Sequence, residues 1–174
     1  MGTEIRTEEG PVRVGTEECF QHLVEALHDP SSHVRRLAIC GLAASGDPRS
    51  VEHLIPMLQD PSSEVRTRAV FALGRIGDAR AASALIEAAR EGEPELHRAA
   101  ITALGELGDA AVDVLALEVR AVSPADRVRA VIALGETHSL RAIDALTAAS
   151  ADADATVRAR AREAVEKLRE TRVF

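Results

Sequence analysis

The groups in this 174-residue chain that could hold a metal or carry a reaction are two Cys, six His and a scatter of Asp and Glu. Cys19 and His22 are spaced i, i+3, which puts them on one face of a helix, and His53 follows His22 by 31 residues. Stacked units could bring these three together, but a structural zinc site wants four ligands. Solvated or partly buried side chains are the better account of them, and no metal or cofactor is expected. Cys40 would be a reactive thiol only with a base beside it, and the sequence places none there. The carboxylates stand singly at turns and helix starts rather than as a pair suited to acid–base work. No catalytic residue is assigned, and the expected class is a non-enzymatic one.

The 31-residue interval between the two histidines runs through the whole chain. Asp29-Pro30-Ser31-Ser32-His33-Val34-Arg35 is repeated as Asp60-Pro61-Ser62-Ser63-Glu64-Val65-Arg66, with six of seven positions identical. In step with it run Ala72-Leu73-Gly74, Ala103-Leu104-Gly105 and Ala133-Leu134-Gly135, and the pairs Gly46-Asp47, Gly77-Asp78 and Gly108-Asp109. Self-similarity at such a period marks a stack of units that bury their apolar faces only against neighbours. Such a stack offers surface rather than a cleft, so binding is the expected activity.

Each unit reads as a helix pair. Thr16 can cap a helix whose apolar positions Phe20, Leu23, Val24 and Leu27 recur at helical spacing. Asp29-Pro30-Ser31-Ser32 opens the next helix, with Pro30 where a missing N–H breaks no intrahelical bond. In the copy that follows, Val65, Ala69, Ala72, Leu73 and Ile76 form one inward stripe. Gly77 then supplies a left-handed residue, and Asp78 caps the following helix. Gly74, which recurs as Gly105 and Gly135, costs about 1 kcal/mol relative to Ala; close approach of a neighbouring helix is the simplest compensation.

The spacing predicts an all-α, right-handed α-solenoid (superhelix) of about five antiparallel helix pairs, at 16–44, 48–76, 79–107, 110–136 and 139–170. These form a single domain between a flexible N-terminal arm (1–15) and a C-terminal tail (171–174). The fourth unit is one residue short, has His138-Ser139 for its Gly-Asp turn, and carries Asp126 where Val65 stands earlier, so a kink or loosened interface is expected there. The last helix has Glu163, Glu166 and Lys167 in place of Phe71, Gly74 and Arg75, the polar outer face of a capping unit.

Composition agrees. Hydrophobic residues make up 46% but aromatics 2%, so the core must be Ala, Leu, Val and Ile. A formal net charge of −7 argues against a general nucleic-acid binder, although Arg158, Arg160, Arg162, Arg169 and Arg172 make the C-terminal stretch locally basic. The first 28 residues carry two Arg against six Glu. Two Cys are too few for a disulfide framework, and neither an apolar run of membrane-spanning length nor a signal-peptide pattern is present. A cytoplasmic monomer with no membrane partner is expected.

The run from Asp60 to Arg66, followed by Ala69, Ala72-Leu73-Gly74 and Gly77-Asp78, resembles a HEAT repeat, and more narrowly the subtype named after phycobilisome lyases. The resemblance implies a ladder of Asp and Arg six residues apart linking neighbouring units: Asp29 with Arg35, Asp60 with Arg66, and Asp152 with Arg158. The pattern lapses at Glu91 with His97 and at Ala121 with Arg127. It also implies that Pro56 kinks a first helix. Relatives include a di-iron deoxyhypusine hydroxylase built on His-Glu dipeptides, which this chain lacks altogether. They also include bilin lyase subunits, which leaves a lyase-type or other small-molecule-modifying role as the alternative. In HEAT-like stacks the second helices line the concave face. That places Arg36, Cys40, Thr67, Phe71, Arg98, Thr102, Val128 and Ile132 in a groove, with Phe71, Val128 and Ile132 as apolar anchors between Arg36 and Arg98. The expected function is a protein-interaction scaffold or adaptor binding a protein or peptide there, an acidic one by the flanking charge. A nucleic-acid role for the basic C-terminal helix is the second alternative.

Overall fold

The computed structural model describes residues 4–7, 10–13, 17–91 and 93–170, and these fall into two compact units, Met1–Ile76 and Gly77–Phe174. Both are built from helix pairs in chain order. The first unit holds α1 (Glu17–Ala26) with α2 (Ser32–Ser45), then α3 (Ser50–Leu54) with α4 (Ser63–Ile76). The second holds α5 (Ala82–Glu91) with α6 (Pro94–Glu106), α7 (Asp109–Glu118) with α8 (Pro124–Glu136), and α9 (Ile143–Ala149) with α10 (Ala155–Glu170). The expected five pairs are therefore present. Within each unit the second helices pack on one another: α2 on α4 in the first, α6 on α8 and α8 on α10 in the second.

Small side chains set that packing. Helix α4 buries Val65, Ala69, Val70, Ala72, Leu73 and Gly74, while Ile76 at its end is half-buried. Leu27, Leu42, Leu54, Leu85, Leu104, Leu115, Leu134, Leu146 and Leu168 are closed off almost completely, and Phe20 is the aromatic ring found in the core. With so little bulk, close-packed density requires helices to approach nearly backbone to backbone. The recurrent helical glycines do this: a Cβ on Gly105 would lie 2.9 Å from both Cβ and the carbonyl oxygen of Glu136, and one on Gly135 would lie 3.1 Å from Cβ of Ala164.

The turns follow one recipe. Gly46, Gly77 and Gly108 have φ of 64°, 73° and 56°, the left-handed conformation that ends a helix, and His138 takes the same role at φ 52°. Behind three of them an oxygen accepts the N–H two residues on: Asp47 from Arg49 at 2.9 Å, Asp78 from Arg80 at 2.9 Å and Ser139 from Arg141 at 3.2 Å. Pro56 interrupts the first helix of the second pair, which continues as a 3-10 segment over Ile55–Gln59.

The N-terminal segment differs from the flexible arm that its lack of helical period suggested. Glu4–Thr7 and Gly10–Arg13 pair as antiparallel strands, with Ile5 opposite Val12. Its period is two rather than 3.6, and β-branched Ile5, Thr7 and Val12 suit that. Thr16, the expected cap, and the tail at 171–174 lie outside the described residues. The second helix also begins later than expected, at Ser32 rather than Pro30.

Close approach makes Gly→Ala substitutions diverge. Gly105→Ala should lower stability by about 1–3 kcal/mol despite better helix propensity, because backbone atoms of Glu136 would have to move. Gly41→Ala meets the flexible end of Leu23 at 2.7 Å, which can swing away. A urea titration of both variants should show a clear loss for Gly105→Ala and a far smaller change for Gly41→Ala.

Candidate functional site

Two layers of side chains bear on function: those that tie helix pairs together and those the second helices leave in solvent. The tie begins at the turn inside each pair, whose own backbone carbonyls lie beyond the first helix and need donors. Arg35 supplies them, its Nη1 donating to the carbonyls of Asp29 at 2.9 Å and Pro30 at 3.1 Å. The same Nη1 bonds recur from Arg66 to Asp60 and Pro61, from Arg127 to Ala121 and Val122, and from Arg158 to Asp152 and Ala153.

The other edge of the guanidinium reaches the next pair. Arg35 grips both carboxylate oxygens of Asp60 at 2.7 and 2.8 Å, and Arg127 grips Asp152 at 2.9 Å twice, each 25 residues further on. Each carboxylate in turn accepts an N–H two residues ahead, from Ser62 and from Asp154. The rungs thus join Arg35 and Arg127 to the Asp of the following pair, whereas within a pair the Arg donates through Nη1 to backbone carbonyls of the turn. Arg127, which sequence had left out because Ala121 stands six residues before it, is a full rung. Paired with these guanidinium groups, Asp60 and Asp152 are held below the usual carboxylate range.

In the third pair, His97 bonds the carbonyl of Ala89 through Nδ1 at 2.7 Å, so the turn is still served without a guanidinium. The link onward to the fourth pair comes from Arg90. It donates to Asp126 at 3.2 Å and to Glu118 at 3.1 Å, and Asp126 also pairs with Arg129. The interface expected to be loosened around Asp126 is therefore bridged by charge. Burial pushes the Asp126 carboxyl up, but Arg90 and Arg129 outweigh it and hold it low. Ile86, Ile101, Leu104 and Leu115 lie beneath this cluster. A carboxylate at a position otherwise held by Val or Leu demands a counter-charge; that was the available clue to Arg90.

The exposed stripe of α4 is Glu64, Arg68, Phe71 and Arg75, spaced i, i+4, i+7 and i+11. Phe71 is 40% exposed and Leu37, one period before Arg68, is 55% exposed. Of the first unit's expected groove residues, Phe71 holds its place, while Arg36, Cys40 and Thr67 are half-buried and Arg36 pairs with Glu64. In the second unit Arg98 and Thr102 are exposed, but Val128 and Ile132 are half-buried rather than free anchors. The column through Arg36, Thr67 and Val128 thus sits on the margin of the face. Leu37 and Arg68 are the exposed residues the sequence reading missed, and Arg75 is exposed beside them.

The remaining candidates have structural surroundings. His53 meets the edge of Phe20 with centroids 5.8 Å apart, and Arg49 lies 4.5 Å above the same ring while also bonding Asp47 and Glu17. Among the described residues no three His, Cys, Asp or Glu are grouped to hold a metal ion. In the basic C-terminal stretch Arg158 serves the turn and Arg160 pairs with Glu163, Arg162 and Arg169 are exposed, and Arg172 lies outside the described residues. No helix among the described residues is long and apolar enough to cross a membrane.

Residues 10–63 and 51–118 match the family model for HEAT repeats. The chain belongs to the HEAT-repeat family. Residues 126–152 also match the PBS lyase HEAT-like repeat. Among solved structures, the complex of CpcE and CpcF of phycocyanin lyase from Nostoc sp. PCC7120 aligns with a TM-score of 0.56 and 21% identity, covering 94% of this chain and 70% of that one. A designed armadillo repeat protein in complex with the peptide (KR)4 aligns with a TM-score of 0.45 at 22% identity, over 89% and 87% of the two chains. Human deoxyhypusine hydroxylase aligns with a TM-score of 0.42 at 19% identity, over 90% and 87%. No curated protein matches the chain. The HEAT assignment and the lyase-complex alignment establish the α-solenoid class read from the 31-residue period.

Two outcomes test the ties. Because the Asp60 carboxyl is depressed in the folded chain, its contribution is complete above the ordinary Asp value of about 3.9 and lost as pH falls below it. Asp60→Asn should therefore lower the urea midpoint at pH 6 and flatten its decline between pH 5 and 3. For the substitute link, Arg90→Leu alone should cost about 1–2 kcal/mol by stripping a charged partner from Asp126. Arg90→Leu with Asp126→Val should recover most of that, since an apolar pair replaces an ion pair with little penalty.

Proposed function

We propose that this HEAT protein is a non-catalytic scaffold, a cytoplasmic monomer that holds a protein or peptide partner on the exposed faces of its second helices. The observation that carries the reading is the exposure of Leu37 and Phe71 on α2 and α4, helices whose other large apolar groups are buried or half-buried. An apolar side chain of this size gains about 1.5–3 kcal/mol when a partner covers it. The residues of the face in the first unit are Arg36, Cys40, Thr67 and Phe71, joined by Leu37, and those in the second unit are Arg98, Thr102, Val128 and Ile132. The ion pairs join helix pairs and so serve the frame.

One observation favours a second reading, a lyase-type subunit: the match at 126–152 to the PBS lyase HEAT-like repeat, in a fold shared with the lyase complex. Such a subunit would act on a bilin, as the resemblance to bilin lyase subunits implies. It would show itself as visible absorbance co-purifying from a pigment-producing host.

The test is capture of partners from the native host, with each captured protein then purified and titrated directly against the chain. Phe71→Ser, at an exposed position, should leave the melting temperature within a few degrees and weaken the reconstituted complex about tenfold or more. Unchanged affinity for every reconstituted partner would place the binding face elsewhere.

A further inference from the structure

The exposed stripe of the first unit has a definite chemistry. On α4, Arg68 and Arg75 flank Phe71 at i−3 and i+4, and both are exposed. Neither makes an ion pair or side-chain hydrogen bond among the described residues, in contrast to Arg35, Arg36 and Arg49 of the same unit. Leu37 lies one period before Arg68, on α2, which packs against α4. The facing carboxylate on the stripe, Glu64, is already engaged by Arg36. Two apolar groups and two uncompensated cations therefore share the paired helices of a chain whose net charge is −7.

From this we infer that the first unit docks an acidic amphipathic segment of another protein. Its apolar side chains cover Leu37 and Phe71, and its carboxylates pair with Arg68 and Arg75. The inference rests on the scaffold reading and adds the helical form of the acidic partner, the place where it sits and the residues that hold it. The pattern on α4, cation–apolar–cation within two helical turns, has as its complement an acidic helix presenting a carboxylate on either side of an apolar anchor. Arg suits the role because its planar fork pairs with a carboxylate through two parallel bonds. A basic segment would bring like charges against Arg68 and Arg75 and is rejected on the same ground.

The probes are two fluorescein-labelled helical peptides with one Leu stripe at i, i+3, i+4 and i+7. One is flanked by Glu and the other is identical with Lys at those sites. Fluorescence anisotropy against the full chain should show the Glu peptide binding at least about tenfold more tightly, an advantage that shrinks as salt rises from 50 to 500 mM. Arg68→Glu with Arg75→Glu should reverse the preference, and Leu37→Ser with Phe71→Ser should weaken both peptides about tenfold or more. Circular dichroism melts confirm that each variant is folded. If the Lys peptide binds as well as the Glu peptide, or neither binds, the acidic-partner inference is overturned. If both bind and the Leu37 and Phe71 changes have no effect, the scaffold reading of this face fails as well.

Discussion

A helix pair ends its first helix against its second, and the carbonyls at that turn have no intrahelical partner. In this chain one guanidinium resolves the problem and does something further with the same atoms. Nη1 of Arg35 or Arg127 closes the turn of its own pair, while Nε and Nη2 hold the carboxylate that begins the next. Turn geometry and unit-to-unit register are thereby set together, because a planar fork held at one edge aims the other. The carboxylate is itself fixed by an N–H two residues ahead, so neither member of the rung is free to drift. With register set in this way, small residues can meet at close range.

The third pair shows which half of this arrangement is dispensable. His97 satisfies a carbonyl but cannot span to another unit, so one residue performs the closing role and leaves the linking role vacant. Arg90 fills the vacancy from a different helix and by a different route, reaching Glu118 and Asp126 instead of a turn carboxylate. Asp126 then makes sense as part of a replacement: it lies where its relatives in other pairs are apolar because its counter-ion comes from there. Linking neighbours is what the fold requires, and the identity of the link is negotiable.

Most of the fold was legible because its determinants are local and repeated. Five helix pairs, the left-handed turns at Gly46, Gly77 and Gly108, and the caps at Asp47 and Asp78 all follow from residues within a few positions of one another, while the break at Pro56 came from the family resemblance. What was not legible depends on the neighbouring copy. A period shows that Arg35 and Asp29 recur together, but not that the fork passes over Asp29's carboxylate to the one 25 residues on. Helical spacing separated inside from outside correctly, yet it could not say how far the next helix reaches round. Arg36, Thr67 and Val128 were therefore placed one column too far toward solvent. The strands at Glu4–Thr7 and Gly10–Arg13 escaped for a different reason, since a search for helical period is blind to alternation over four residues.

The column that reaches solvent is informative because the frame around it is so regular. Positions facing the next unit are held to Gly or Ala in successive copies, as Gly105 and Gly135 require by contact. The positions matching Phe71 are Cys40, Thr102, Ile132 and Glu163, with Cys40 and Ile132 half-buried, and those matching Arg68 are Leu37, Ala99, Arg129 and Arg160, with Ala99 buried. Close-packed positions therefore keep small residues from copy to copy, whereas these positions vary. In the first unit their exposed members, Leu37, Arg68 and Phe71, meet no packing demand from the frame, so a partner can select their chemistry.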